Sequence, residues 1–154
     1  MKLYITRHGQ ASRNAENRIL GRTDDILSEK GKAQAAELAE RLGSVIAVSG
    51  KIDVISDGKE SCVLYNGCAT MARITGSGCM LTALIGAFCG GNRNYFSAAC
   101  SAVAAMGICG EIAEEKRIRN GTGNATFRTD LIDAVFNLTE EQLEEGVRYE
   151  IYTR

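Results

Sequence analysis

The chain has 154 residues, with 17 Gly, 6 Cys, one His and neither Pro nor Trp. That length holds one ordinary domain or two small ones, and the missing prolines, where average usage gives roughly eight, exclude Pro-rich linkers and polyproline segments. A net charge of −1 gives no electrostatic reason to expect nucleic acid or an anionic membrane as a partner, and a single His excludes any mechanism needing two in one chain.

Lys2–Thr6 reads as a short strand, and Ser28 as the N-cap of a helix with Ala35, Leu38, Ala39 and Leu42 on one face. At Ser44 the texture changes. VIAVSG, KIDVISDG, ESCVLYNG and CATMARITG are four β-prone runs, each closed by Gly. Asp57-Gly58 predicts a hairpin between the second and third. Met80–Cys89 and Phe96–Ala113 predict apolar helices buried between a sheet and a neighbour. Phe127–Leu138 predicts another, with Leu131, Ile132, Val135 and Phe136 on one side. Thr139 caps a short acidic helix whose Glu140, Glu141, Glu144 and Glu145 face solvent, and VRYEIYT is the last strand candidate. This order predicts an α/β layered fold.

The cysteines begin at Cys62 and include no CxxC pair and no neighbouring His, so no metal site is predicted. Cys62, Cys68, Cys89, Cys100 and Cys109 read as small core residues. Arg7 and His8 stand where a signal peptide needs its apolar core, and Cys79–Cys89 is too short to span a bilayer. The expected setting is a reducing cytoplasm.

Thr75-Gly76-Ser77-Gly78-Cys79 ends a β-prone run and opens an apolar helix. Two glycines let the backbone turn sharply beside a ligand. The first-turn amides have no helical acceptor and carry the positive end of the helix dipole, which suits a phosphate or a transferring phosphoryl group. A thiolate is favoured at Cys79 and could accept a hydroxyl proton. The same five residues also fit a plain tight turn with a buried Cys.

Residues 45–154 resemble the C-terminal portion of the hydroxyethylthiazole kinase family, which has a ribokinase-like fold. The resemblance is carried in order by IAVSGKIDVISDG, VLYNGCATMARITGSGCMLTALIGAFC, AVAAMGICGEIAEEK and GTGNATFRTDLIDAVFNL. It implies ATP- and Mg²⁺-dependent phosphorylation of the hydroxyl of 4-methyl-5-(2-hydroxyethyl)thiazole in thiamine biosynthesis or salvage. It places Cys79 at the catalytic-base position, Gly76 against the substrate hydroxyl, and the Gly76, Ser77 and Gly78 region as the anion hole. Ser49 matches a position that contacts ATP. The family's homotrimer is the implied assembly, with no nucleic-acid or membrane partner. The Asn120–Thr126 loop departs from the family's glycine-proline-glycine-serine form.

Residues 1–43, with LYITRHGQASRN, the Gly21–Asp24 run and the Leu27–Gly31 turn, are similar to the start of the histidine phosphatase (phosphoglycerate mutase-like) family. That resemblance implies His8 as a phosphohistidine-like remnant, with Arg7 and Asn14 as phosphate contacts. The second His that this chemistry needs is missing.

The expected architecture is α/β: a three-layer ribokinase-like C-terminal half at 44–154, preceded by a strand-helix piece at 1–43 that supplies a step of a doubly wound sheet. Turnover is expected to be impaired, because the kinase N-terminal half does not precede the seam. The alternatives are an RHG-type phosphatase or mutase fragment and a non-catalytic oligomerising pseudoenzyme.

Overall fold

In the computed structural model, which describes residues 28–153, Ser28 caps the first helix, α1 (Glu29–Leu42), by accepting the Gly31 amide at 3.2 Å. Glu29 in the first turn and Arg41 in the last match the helix dipole. Gly43, left-handed at φ 56°, closes the helix through its amide. Ala35 and Ala39 are buried, and α1 packs on the first two strands. The expected Lys2–Thr6 strand lies outside the described residues.

Four strands follow the order β1 (Ile46–Val48), β2 (Asp53–Ser56), β3 (Glu60–Leu64), β4 (Tyr149–Thr153), and every pairing is antiparallel. The described sheet therefore differs from the doubly wound one expected. Its first three strands are joined by turns too short for a parallel crossover. Asp57-Gly58 makes the β2–β3 hairpin: the Asp57 carboxylate accepts the Lys59 and Glu60 amides, both at 2.8 Å. Those bonds hold the Asp57 carboxyl below its usual range, led by the one from Glu60. Gly58 has φ 92°, and a Cβ there would stand 2.8 Å from the Glu40 amide nitrogen, so α1 rests directly on the turn.

The fourth β-prone run, CATMARITG, instead forms a 3-10 helix, Ala69–Arg73. Gly67, at φ 122°, turns the chain away just past the end of β3, and Thr70 is buried. Met71 seats in a notch above Gly110. A neighbouring helix thus overrides the local β preference.

The helices are α2 (Ser77–Gly91), α3 (Tyr95–Asn120), α4 (Asn124–Asn137) and α5 (Glu140–Gly146). Asn94 caps α3 by accepting the Ser97 amide at 3.1 Å. The helix runs well past the expected Phe96–Ala113, to a left-handed Gly121. Residues 102–110 are buried without a break because β2 and β3 cover one side and α2 and α4 the other. It has 26 residues, and its most apolar 18-residue window, with a mean hydropathy of 1.5, has the length and composition of a membrane span, but 67% of that window is packed inside the fold. Ile55, Cys62 and Leu64 meet Ala99, Val103 and Ala104, joining sheet to helix. On the far side Met106, Cys109 and Ala113 meet Phe127 and Leu131 of α4.

Two sequence expectations fail on burial. No residue of α2 is buried, although its 15 residues include no charge. In α4 the inward side is Phe127, Asp130, Leu131 and Ala134, whereas Ile132 and Phe136 are exposed, Phe136 at 87%. The spacing i, i+3, i+4, i+7 defines that inward stripe, and Ile132 and Phe136 fall off it.

The expected cap on α5 forms as a full capping box. Gln142 donates its amide to Thr139 Oγ1 at 3.2 Å, and Thr139 donates its amide to Gln142 Oε1 at 3.0 Å. Thr139→Ala is expected to cost about 1 kcal/mol, read as a lower midpoint in urea unfolding with an unchanged slope.

Candidate functional site

A cleft of about 690 Å³ opens where three segments converge over α3. Ser49 and Lys51 come from the β1–β2 connection and Asp53 from the first residue of β2, Asn66 and Gly67 from just past the end of β3, and Ser77 and Gly78 from the start of α2. Val103, Met106 and Gly107 of α3 line its floor. A smaller adjoining space of about 310 Å³ shares Ser49, Asp53 and Gly78 and reaches Thr82 and Ile85. Asp53 accepts the Gly50 amide at 2.9 Å, which shapes the loop carrying Ser49 and Lys51.

The start of α2 follows from Gly76. It is left-handed at φ 96°, and no neighbour would meet a Cβ there, so conformation and not crowding calls for glycine. No side chain caps this end. The first turn closes with Met80 donating its amide to Gly76 O at 2.9 Å, so the Ser77, Gly78 and Cys79 amides stand ahead of the helical ladder. Such an end attracts anions, and Ser77 and Gly78 bring it to the cleft. A Cβ at Gly78 would also meet nothing, leaving room for close approach by a ligand.

Of the residues singled out from sequence, Ser49, Ser77 and Gly78 line one cleft, and Gly76 stands at its helix end. Cys79 is exposed on the same first turn and is not among the lining residues. The plain reading of a buried Cys is therefore not what the fold contains. His8, Arg7 and Asn14 lie outside the described residues. Among the described residues no group of three or more His, Cys, Asp or Glu could hold a metal ion.

The surroundings of two further thiols raise their pKa. Burial pushes the Cys109 thiol up to about 11, and a hydrogen bond with Cys62 holds the Cys100 thiol well above the usual range. Iodoacetamide in mildly alkaline buffer is expected to modify Cys79 well before Cys109. Peptide mapping after a short exposure reads the order, and equal labelling of the two would contradict the burial described.

Sequence reasoning missed the wall opposite α2. Asn66, buried at 4% exposure, donates to Gly146 O at 2.9 Å and accepts the Arg148 amide at 2.9 Å. Glu111 of α3 accepts the Gly67 amide at 2.7 Å and pairs with the Arg148 guanidinium. Gly107 lets α3 approach: a Cβ there would lie 2.6 Å from Asn66 Cβ. The motif NG is visible in the sequence, but its partners lie 44 to 82 residues away along the chain.

The profile of the hydroxyethylthiazole kinase family matches residues 15–141, most of the chain. The chain belongs to the hydroxyethylthiazole kinase family. The match begins inside the 1–43 stretch that resembled a phosphatase fragment, so membership reaches well in front of Ser44.

Similar family members include the hydroxyethylthiazole kinase of Clostridium botulinum (strain Eklund 17B / Type B), 46% identical over 121 residues, covering 79% of this chain and 43% of that protein. The hydroxyethylthiazole kinase of Ruminiclostridium cellulolyticum is 42% identical over 139 residues, covering 90% and 50%. Among solved structures, the hydroxyethylthiazole kinase protein from Pyrococcus horikoshii OT3 superposes with a TM-score of 0.71 at 28% identity, over 80% of this chain and 47% of that one. The α/β architecture is thus that of a ribokinase-like kinase, and the chain spans about half the length of the curated relatives it matches.

Proposed function

We propose that the cleft is the phosphoryl-transfer side of an ATP-dependent kinase acting on the hydroxyl of 4-methyl-5-(2-hydroxyethyl)thiazole. The observation that carries this reading is the uncapped, left-handed start of α2 at Gly76, whose amides border a cleft shared with Ser49. In the reaction, Cys79 Sγ, as thiolate, takes the proton of the substrate hydroxyl. The alkoxide oxygen bonds the γ-phosphorus as the bond to the β-phosphate oxygen breaks, releasing ADP. The Ser77, Gly78 and Cys79 amides donate to the oxygens on which charge develops, a term that preorganised donors supply well. Ser49, and Lys51 as a positive charge, suit the nucleotide phosphates from the other side.

The family implies Mg²⁺, but the described residues do not form a site for it. Among the described residues Asp53 is the one carboxylate lining the cleft, and it already accepts the Gly50 amide. No step is assigned to a metal. A cytoplasmic location and a homotrimer belong to the same proposal. The test is a coupled ADP-release assay with the full chain. ADP release that depends on the thiazole alcohol supports the reading, and release indifferent to it, or none in a single-turnover experiment, overturns it.

A second reading rests on the Arg7-His8-Gly9 motif, which precedes the first family-matched residue. It keeps His8, with Arg7 and Asn14, as a phosphohistidine remnant of a phosphatase-like piece ahead of the family-matched residues 15–141, and so shorter than the 1–43 stretch expected from sequence. Incubation with a labelled phosphomonoester would trap phosphate on His8, and the absence of label ends this reading.

A further inference from the structure

We infer that Glu111 is a positioning residue of the cleft. It acts through the Gly67 amide to hold the wall that faces the start of α2. The inference rests on the kinase reading only for the identity of the ligands.

Gly67 is the point at which the chain leaves β3 and turns into the 3-10 helix, with φ 122°. Glycine adopts that conformation without strain and many others as readily, so the turn alone does not fix the direction of the wall and an outside contact must. The sheet does not reach it, because the last ladder pair on this side is Leu64 with Tyr149. Support comes from Glu111, whose Oε1 accepts the Gly67 amide at 2.7 Å. The same carboxylate lies 3.4 Å from Asn66 Nδ2 and accepts from Arg148 Nη1 at 3.2 Å. Arg148 Nη2 in turn donates to Tyr65 O at 3.2 Å. One side chain on the long buried helix thus gathers residues 65, 66 and 67 and the start of β4.

Tyr65, Asn66 and Gly67 all line the cleft, and Glu111 does not. Its carboxylate sits behind the wall, with a side-chain exposure of 29%. Losing it leaves the Gly67 amide without its charged acceptor, and a hydrogen bond to a charged group is worth more than a neutral one. The wall then relaxes away from Ser77 and Gly78, and both ligands lose a preformed surface.

The test compares four forms of the full chain by calorimetric titration with a non-hydrolysable ATP analogue and, separately, with the thiazole alcohol. Amide hydrogen exchange of residues 65–72 is followed in parallel without ligand. In Glu111→Ala, exchange across this segment is expected to rise and binding of at least one probe to weaken about tenfold. Glu111→Gln keeps an acceptor oxygen for Gly67 while giving up the ion pair with Arg148, and is expected to bind within about threefold of the parent. Thr139→Ala, which weakens a helix cap away from the cleft, is expected to lose stability without a change in affinity.

Parent-like exchange of residues 65–72 in Glu111→Ala, or parent-like affinity for both probes, would overturn the assignment. So would a Gln variant as impaired as Ala. If the parent binds neither probe, the kinase reading falls, and the exchange data alone then decide whether Glu111 holds the wall.

Discussion

Cys79→Ala is expected to lower the single-turnover rate of phosphoryl transfer to the thiazole alcohol by about 10²–10⁴-fold, the range that a positioned general base contributes. The loss should fall on the chemical step and not on nucleotide affinity, because the donors that meet the phosphates are main-chain amides and survive the substitution. Cys79→Ser is expected to lie near Ala, since a hydroxyl at ordinary pH is a far weaker proton acceptor than a thiolate. The location of the thiol sharpens the experiment. Cys79 is exposed beside the cleft and does not line it, so its removal empties no core and should leave the unfolding midpoint unchanged. Equal rates in parent and variant would remove Cys79 from the mechanism while leaving the amide end of α2 as an anion site.

The second large effect is structural. Gly107→Ala would place a Cβ 2.6 Å from Asn66 Cβ and 2.9 Å from its carbonyl carbon, backbone that cannot swing aside. Asn66 is tied to Gly146 and Arg148, so relief must come from moving α3 away from the segment that follows β3. The expected cost is about 3 kcal/mol, a fall in melting temperature of roughly 6–12 °C for a domain of this size. Gly110→Ala is the control. Its Cβ would meet Met71 Sδ at 2.3 Å, the far end of a flexible side chain. Gaining Ala in a helix offsets up to about 1 kcal/mol of that strain. A Gly107→Ala chain as stable as the parent, or less affected than Gly110→Ala, would mean that the close approach of α3 to Asn66 is not a constraint.

The contrast between these two glycines bears on what the amino-acid sequence reveals. Asp57-Gly58, Thr139 with Gln142, and Thr75–Cys79 are local devices. Their partners lie within five residues, and each forms where the sequence places it. The Ser49 end of β1 is similarly readable, because a short apolar run must stop at its turn. CATMARITG was misread because its β-prone composition is local while its conformation is set by α3, through Met71 over Gly110 and a buried Thr70.

Phe136 was misplaced for a related reason. Leu131, Ile132, Val135 and Phe136 form a plausible stripe until Phe127 and Ala134 fix which side α4 turns inward. The wall of Asn66, Glu111 and Arg148 was invisible because it joins the end of β3, the middle of α3 and the start of β4, segments that only the folded topology brings together. The exposed face of α2 is the opposite case: its apolar sequence led to an expectation of burial that the described residues do not supply.

The central claim is that the amides at the start of α2 bind a phosphate. An amide-resolved NMR titration of the full chain with a non-hydrolysable ATP analogue tests it most directly. The Ser77, Gly78 and Cys79 amide resonances are expected to shift together and saturate, with Ser49 moving over the same concentration range and the α5 amides unmoved. Saturable shifts elsewhere with these three amides unchanged would contradict the claim.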